Sequence, residues 1–347
     1  MLNKNSLIGG VPLSNAFLVT GGAGFIGSNF CDYLLKNNHK IIIIDNFNDF
    51  YNPEIKRSNI VELKNLMKIN NIADDHLIIE EGDLRDINFL TKIFSSYKID
   101  VVVHLAAMAG VRPSIINPFL YNEVNILGTL NLLDLCKEFG IKKFVFASSS
   151  SVYGNNKKLP FTEADSVVLP ISPYAATKKS GELLCHVYSH LYGINIACLR
   201  FFTVYGRRQR PDLAIYKFTK LMLEEKQISI FGDGTAERDY TYIDDIIQGI
   251  DKAITWLNTG THKYEIFNLG RSDTIMLSYM VKRLESEIGV KANIIYLPMQ
   301  PGDVTITYAD ISKSKEILGY NPITKFDDGI SEFVKWFFIK GCYNKIS

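Results

Sequence analysis

The chain has 347 residues, with 38 Lys+Arg against 37 Asp+Glu, a formal net charge of +1, 47% apolar and 22% charged residues. This ordinary globular usage excludes disordered and fibrous classes, and the lack of surplus basic charge argues against nucleic acid as the main partner. No apolar run reaches the roughly 18–20 residues of a membrane span, residues 1–14 lack a secretory pattern, and Cys31, Cys136, Cys185, Cys198 and Cys342 form no CxxC pair, as expected of reduced thiols in a cytoplasmic protein.

After an N-terminal extension over 1–14, residues 16–20 (AFLVT) predict a first strand and residues 25–36 a helix. Further strands are expected at 40–45, 76–80, 100–104, 143–147 and 194–199. They are apolar on both faces, as parallel strands covered by helices should be. Helices are expected over 124–139, where Ile126, Leu130, Leu133 and Phe139 recur at helical spacing, and over 173–192. The alternation predicts an α/β fold, a Rossmann-type doubly wound parallel sheet over 15–200. Beyond about residue 200, turn signals (GRRQRP, FGDGT, NLGRSD, MQPGD) crowd together. They predict a smaller mixed α/β C-terminal lobe over 201–347 that binds substrate, with segments able to return to the sheet.

The turn after the first strand reads TGGAGFIG, with Gly21, Gly24 and Gly27 in GxxGxxG spacing. Glycines there permit a tight turn, close approach of backbone to a pyrophosphate, and close packing of helix on strand. The helix N-terminus that follows offers N–H groups to phosphates. Asp45 ends the second strand, where a carboxylate binds the adenosine ribose hydroxyls and repels a 2′-phosphate, favouring NAD over NADP. Asp83, in GDLRD, either meets the adenine edge or caps the next helix. Ala106 and Ala107 follow the fourth strand, where small side chains let a cofactor lie against the backbone.

Tyr174 and Lys178, four apart, share one face of the 173–192 helix. A tyrosine near pKa 10 is a poor base at neutral pH. An ammonium one turn away, together with a cationic nicotinamide, is expected to favour the phenolate. The run Ser148 to Ser151 ends the fifth strand, on the edge where open α/β sheets bind ligands.

Together TGGAGFIG, Asp45, HLAA (104–107), the serine run and YAATK (174–178) resemble the extended short-chain dehydrogenase/reductase superfamily. AAMAGVRPS (106–114), SSSSVYG (148–154), LRFFTVYG (199–206), RQRPDLA (208–214), FGDGTAERDYTYIDD (231–245) and MQPGDV (299–304) resemble its UDP-glucuronate 4-epimerases. The resemblance implies that Tyr174 is the acid-base residue, that Lys178 holds the nicotinamide ribose, and that Ser149 bonds the sugar 4-oxygen. It adds Phe25, Ile26, Leu84, Leu105 and Asn125 to the NAD contacts. To the substrate it gives Ser150, Ser151, Thr203 and Arg210 near the C6 carboxylate, Phe231 near uracil, Arg238 on the phosphates, and Asp303. Arg207, Arg208, Arg210 and Arg238 are expected to cluster around a small anion. No metal is expected. A homodimer through the 124–139 and 173–192 helices is implied. The rival readings are a 4-epimerase of UDP-N-acetylglucosamine or UDP-glucose, and a silent NAD-binding regulatory protein.

Overall fold

A computed structural model describes residues 16–260, 263–299 and 304–340. The 1–14 extension and Cys342 lie outside the described residues. In chain order the first part runs β1 (Ala16–Thr20), α1 (Phe25–Lys36), β2 (Lys40–Asp45), α2 (Pro53–Ile69), β3 (Leu77–Glu81), α3 (Ile87–Ser96) and β4 (Val101–His104). It continues with α4 (Val111–Ile116), α5 (Pro118–Asn122), α6 (Gly128–Glu138), β5 (Lys143–Ser149), α7 (Pro173–Tyr192) and β6 (Asn195–Phe201). β7 (Thr203–Tyr205), α8 (Ala214–Leu223), β8 (Gln227–Phe231), β9 (Glu237–Arg238), β10 (Tyr240–Tyr242), α9 (Ile243–Leu257) and β11 (Tyr264–Leu269) follow. The remaining elements are β12 (Ile275–Met276), α10 (Leu277–Ile288), β13 (Asn293–Leu297), β14 (Ile306–Thr307) and α11 (Phe326–Ile339).

Seven parallel strands form one sheet in the order β11-β6-β5-β4-β1-β2-β3. The strand order reverses between β1 and β4, which opens a crevice at their C-terminal ends. β1, β2, β4, β5 and β6 are almost wholly buried, as continuous apolar runs require. β3 differs, being half-exposed because it is an edge strand. Helices cover both faces, and two apolar cores lie on either side of the sheet. β11 comes from beyond residue 201 yet pairs with β6 along its whole length. The predicted 124–139 helix begins as a π-helical turn, Glu123–Leu127, and only then becomes α6. β7 pairs with β10, β8 with β13, and β9 with β12 and β14, in small sheets that carry the lobe. Cys31, Cys136, Cys185 and Cys198 are buried free thiols.

Candidate active site

A cleft of about 400 Å³ opens at the C-terminal ends of the strands, between the glycine turn, the start of α7 and the first segment of the lobe. Gly21 takes a left-handed φ of 70°. A Cβ there would stand 2.8 Å from the Ala106 backbone, and one on Gly27 would stand 2.1 Å from the Gly21 carbonyl oxygen. Only glycine fits either position. Gly24 caps α1 without a side-chain acceptor, and the first turn carries no acidic residue. The N-terminal N–H groups of the helix are therefore offered to an incoming anion. Gly24, Phe25, Ile26 and Gly27 all line the cleft.

Asp45 ends β2 in the cleft wall. Its Oδ2 accepts from Ala23 N at 3.2 Å and its Oδ1 from Phe47 N at 2.9 Å, so the carboxylate also braces the glycine turn. Burial pushes its pKa up, while the nearby Lys56 ammonium and the two amides pull it back. Lys56 is itself tethered to Asn48 O and Oδ1, both at 3.0 Å. Asp83 lines the cleft and accepts from Asn46 Nδ2 at 3.0 Å and Arg85 Nε at 2.9 Å, which holds its carboxyl down at about 2. The helix-cap alternative for Asp83 falls, because Asp86 caps α3. Leu84, Leu105, Ala106 and Ala107 complete this half of the wall.

Asn125 has a structural task. It is buried in the π-helical turn, outside the cleft wall. Its amide is spent on Met108 N at 2.8 Å, Met108 O at 2.9 Å and Thr177 Oγ1 at 3.0 Å, fastening the loop after β4 to α7.

α7 begins cleanly because Ser172 Oγ accepts from Ala175 N at 3.1 Å and Pro173 stands in its first turn. Tyr174 and Lys178 both reach the cleft. Lys178 is 4% exposed, donates from Nζ to Ala147 O at 2.7 Å, and is brought down by burial to about 8. Burial raises the Tyr174 phenol, and the opposing pulls come from Ser149 and Arg210; the Lys178 ammonium stands 6.0 Å from the Tyr174 ring centroid. Tyr121 packs edge-on to that ring at 6.3 Å.

Ser149 is the last residue of β5, and its Oγ accepts from Ser151 N at 3.1 Å and lies 3.1 Å from Ser151 Oγ. Ser148 engages a different partner: its Oγ donates to Glu182 Oε1 at 2.7 Å. Glu182, fully buried one turn beyond Lys178, also accepts from Arg200 Nε at 2.8 Å and Nη2 at 2.9 Å. One carboxylate thus joins β5, β6 and α7 directly behind the cleft. Nothing in the local sequence marks Glu182 and Arg200 as partners.

On the lobe side, Thr203 and Arg210 line the cleft with Ser149, Ser150 and Ser151. Arg210 donates from Nε to Asp212 Oδ1 at 3.0 Å and from Nη2 to Oδ2 at 2.8 Å. Its guanidinium lies 5.5 Å from the Phe50 ring centroid. The expected arginine cluster does not converge. Arg207 pairs with Asp244 at 2.6 Å. Arg208 is buried against Asp32, Glu62 and the Ser28 carbonyl, bracing α1 and α2. Arg238 donates to the Glu237, Val304 and Thr305 carbonyls, and Phe231 receives Arg112 at 4.5 Å from its ring. Neither Arg238 nor Phe231 lines the cleft. Asp303 lies outside the described residues. The cleft is also lined by Asn46, Phe50, Tyr51 and Met108, which lie on loops with no repeating pattern to announce them, and by Lys56 of α2. Among the described residues, no group of three or more His, Cys, Asp or Glu is placed to hold a metal ion.

The GDP-mannose 4,6 dehydratase family model matches residues 18–333. A UDP-glucuronate 4-epimerase of Thermodesulfobacterium geofontis is 44% identical over 321 residues, 92% of this chain and 95% of that protein. The crystal structure of UDP-glucuronic acid 4-epimerase from Bacillus cereus, in complex with UDP-glucuronic acid and NAD, superposes with a TM-score of 0.86 at 39% identity, covering 94% of this chain and all of that one. UDP-glucose 4-epimerase of Thermotoga maritima, solved with UDP-glucose, gives 0.82 at 32% identity over 94% and 99% of the two chains.

Proposed function

The chain belongs to the GDP-mannose 4,6-dehydratase family, and we propose that within it the protein is an NAD-dependent UDP-glucuronate 4-epimerase forming UDP-galacturonate through a transient 4-keto sugar. The observation that carries the reading is the continuity of one cleft, which joins the glycine turn and α1 N-terminus to Ser149, Tyr174 and Lys178 and then to Arg210. The relatives named above support the choice of sugar.

The residues suit NAD. The glycine turn leaves room that any side chain would fill, Asp45 offers a carboxylate at the end of β2, and Lys178 offers a buried donor beside Tyr174. When bound, NAD takes up the hydrogen and electron pair of sugar C4 and returns them, so no net redox change results. The chain supplies the rest. Tyr174 accepts the 4-hydroxyl proton and gives it back, and Ser149 bonds the 4-oxygen. Lys178 holds the nicotinamide ribose. Thr203 and Arg210 hold the C6 carboxylate, since a guanidinium makes short charge-assisted bonds to carboxylate. We assign Arg238 and Phe231 to the nucleotide half of the substrate. Ser150 and Ser151 occupy the places where the family's dehydratases carry Asp and Glu and its decarboxylases carry Glu. Hydroxyls cannot do that acid-base work at neutral pH, so dehydration and decarboxylation are disfavoured.

Leu183, Val187 and Leu191 repeat every fourth residue on α7 and are exposed. We assign this stripe to contact with a second copy of the chain. Among the described residues no helix is long and apolar enough to cross a membrane, and a cytoplasmic location fits the free buried thiols. The deciding experiment incubates purified protein with UDP-glucuronate, UDP-glucose or UDP-N-acetylglucosamine and follows each sugar by proton NMR. Conversion of UDP-glucuronate to its 4-epimer is expected. Turnover of an uncharged sugar alone, or release of carbon dioxide as the main outcome, would refute the reading.

A further inference from the structure

The Arg210 guanidinium reaches the cleft already partnered. Its Nε and Nη2 donate to the two oxygens of Asp212 at 3.0 and 2.8 Å, and one face lies against Phe50. Asp212 does not line the cleft, whereas its neighbours Arg210 and Leu213 do. The carboxylate therefore grips the rear edge of the guanidinium, and Nη1 with the second Nη2 hydrogen remains for the cleft side. Two planar edges, each able to take a carboxylate, make Arg210 a bifunctional holder.

We propose that Asp212 is a positioning residue that acts as an internal competitor for the uronate carboxylate, setting how tightly Arg210 grips the sugar so that the grip can be released at each turnover. The inference rests on the epimerase reading, and it has a physical motive there. A 4-epimerase must present both faces of the same ketose to the same Tyr174, so the sugar must detach, turn and settle again. A fully charged guanidinium in a mostly buried site would hold the C6 carboxylate in one orientation. Arg210 is 20% exposed, and Asp212 is 38% exposed. The pair thus presents a dipole to the cleft rather than an unshielded cation, and the carboxylate of the substrate meets only part of the attraction. Hydrogen bonding by Asp212 also fixes the guanidinium plane, so the weakened grip costs no loss of aim.

The test compares wild type with Asp212→Asn, which keeps an acceptor for Arg210 but removes the charge, and with Asp212→Ala as a second variant. Binding of UDP-glucuronate and UDP-glucose is measured by calorimetry in the non-turnover Tyr174→Phe background, and kcat and KM are measured with Tyr174 present. Asp212→Asn is expected to bind UDP-glucuronate about tenfold more tightly, a change of about 1.4 kcal/mol. Its KM should fall and its kcat should fall with it, while UDP-glucose affinity stays unchanged. Weaker UDP-glucuronate binding in both variants would make Asp212 a mere splint and overturn the proposal. Equal losses for both nucleotides would overturn it too, as a general disturbance of the fold. If wild type failed to epimerise UDP-glucuronate, the functional reading would fall, yet the calorimetric comparison of the charged and uncharged sugars would still decide the role of Asp212.

Discussion

Replacing Lys178 with Met should abolish turnover and at the same time make the protein more stable. Lys178 is 4% exposed, and burial brings its ammonium from 10.5 down to about 8. That displacement corresponds to about 3 kcal/mol of free energy weighing against the charged form at neutral pH. Methionine has a similar length and no charge to desolvate. The Ala147 carbonyl would lose the 2.7 Å bond it receives from Nζ, a cost of about 1 kcal/mol. The expected balance is a gain of about 1–2 kcal/mol. It would be read as a higher urea midpoint on protein stripped of nucleotide, because a bound ligand adds its own free energy. The pH dependence has a defined sign. Below about pH 8 the folded wild type carries the ammonium at a cost. Between that value and 10.5 the unfolded chain holds a proton the folded chain has lost, so wild-type stability rises with pH. The advantage of the variant is therefore largest below pH 8 and shrinks as pH climbs. A variant less stable than wild type at pH 7, or an advantage that does not shrink with alkalinity, would refute the reasoning.

Tyr174→Phe should lower epimerase turnover by about 10²–10⁴-fold while calorimetry finds UDP-glucuronate affinity nearly unchanged. Arg210→Ala should raise the KM for UDP-glucuronate by about 10–100-fold and leave the KM of any uncharged sugar that is turned over unaffected. Glu182→Gln breaks a buried ion pair and should lower unfolding free energy by about 3–5 kcal/mol, whereas the double change with Arg200→Met should recover part of that loss in the same urea titration. Gly27→Ala places a Cβ 2.1 Å from the Gly21 carbonyl oxygen, so nucleotide binding, followed by quenching of protein fluorescence, should be lost.

The features legible in the sequence are those that repeat or sit close together in the chain. Continuous apolar runs locate six sheet strands to within one or two residues, and for all but the edge strand β3 burial on both faces leaves no alternative composition. The glycine turn and the Tyr174–Lys178 pair were equally plain, since spacing alone puts each group on one turn or one helix face. Pairings between distant segments were not. Arg208 sits in a basic run that reads as a substrate cluster, but its partners Asp32 and Glu62 each lie more than 140 residues away. Asp212 stands only two residues beyond Arg210, but adjacency in sequence does not say whether a carboxylate faces the guanidinium or the solvent. Spacing puts Lys178 beside Tyr174, but no spacing rule includes the Ala147 carbonyl that receives its Nζ at 2.7 Å.

The place of β11 in the large sheet bears on how the chain is made. β6 is finished at Phe201, but the strand that covers its outer edge ends at Leu269, about 68 residues later. At roughly 5–20 residues per second, a ribosome needs about 3–14 s to close that gap. Throughout this interval a seven-residue strand that is wholly buried in the finished fold presents its unpaired outer edge to whatever is near. Synthesis that stalls within the lobe would leave a nascent chain with an open β6 edge, suited to pairing with another of its kind. Pace of translation and chaperone cover between residues 201 and 269 should thus govern the yield of soluble protein more than codons anywhere else in the message.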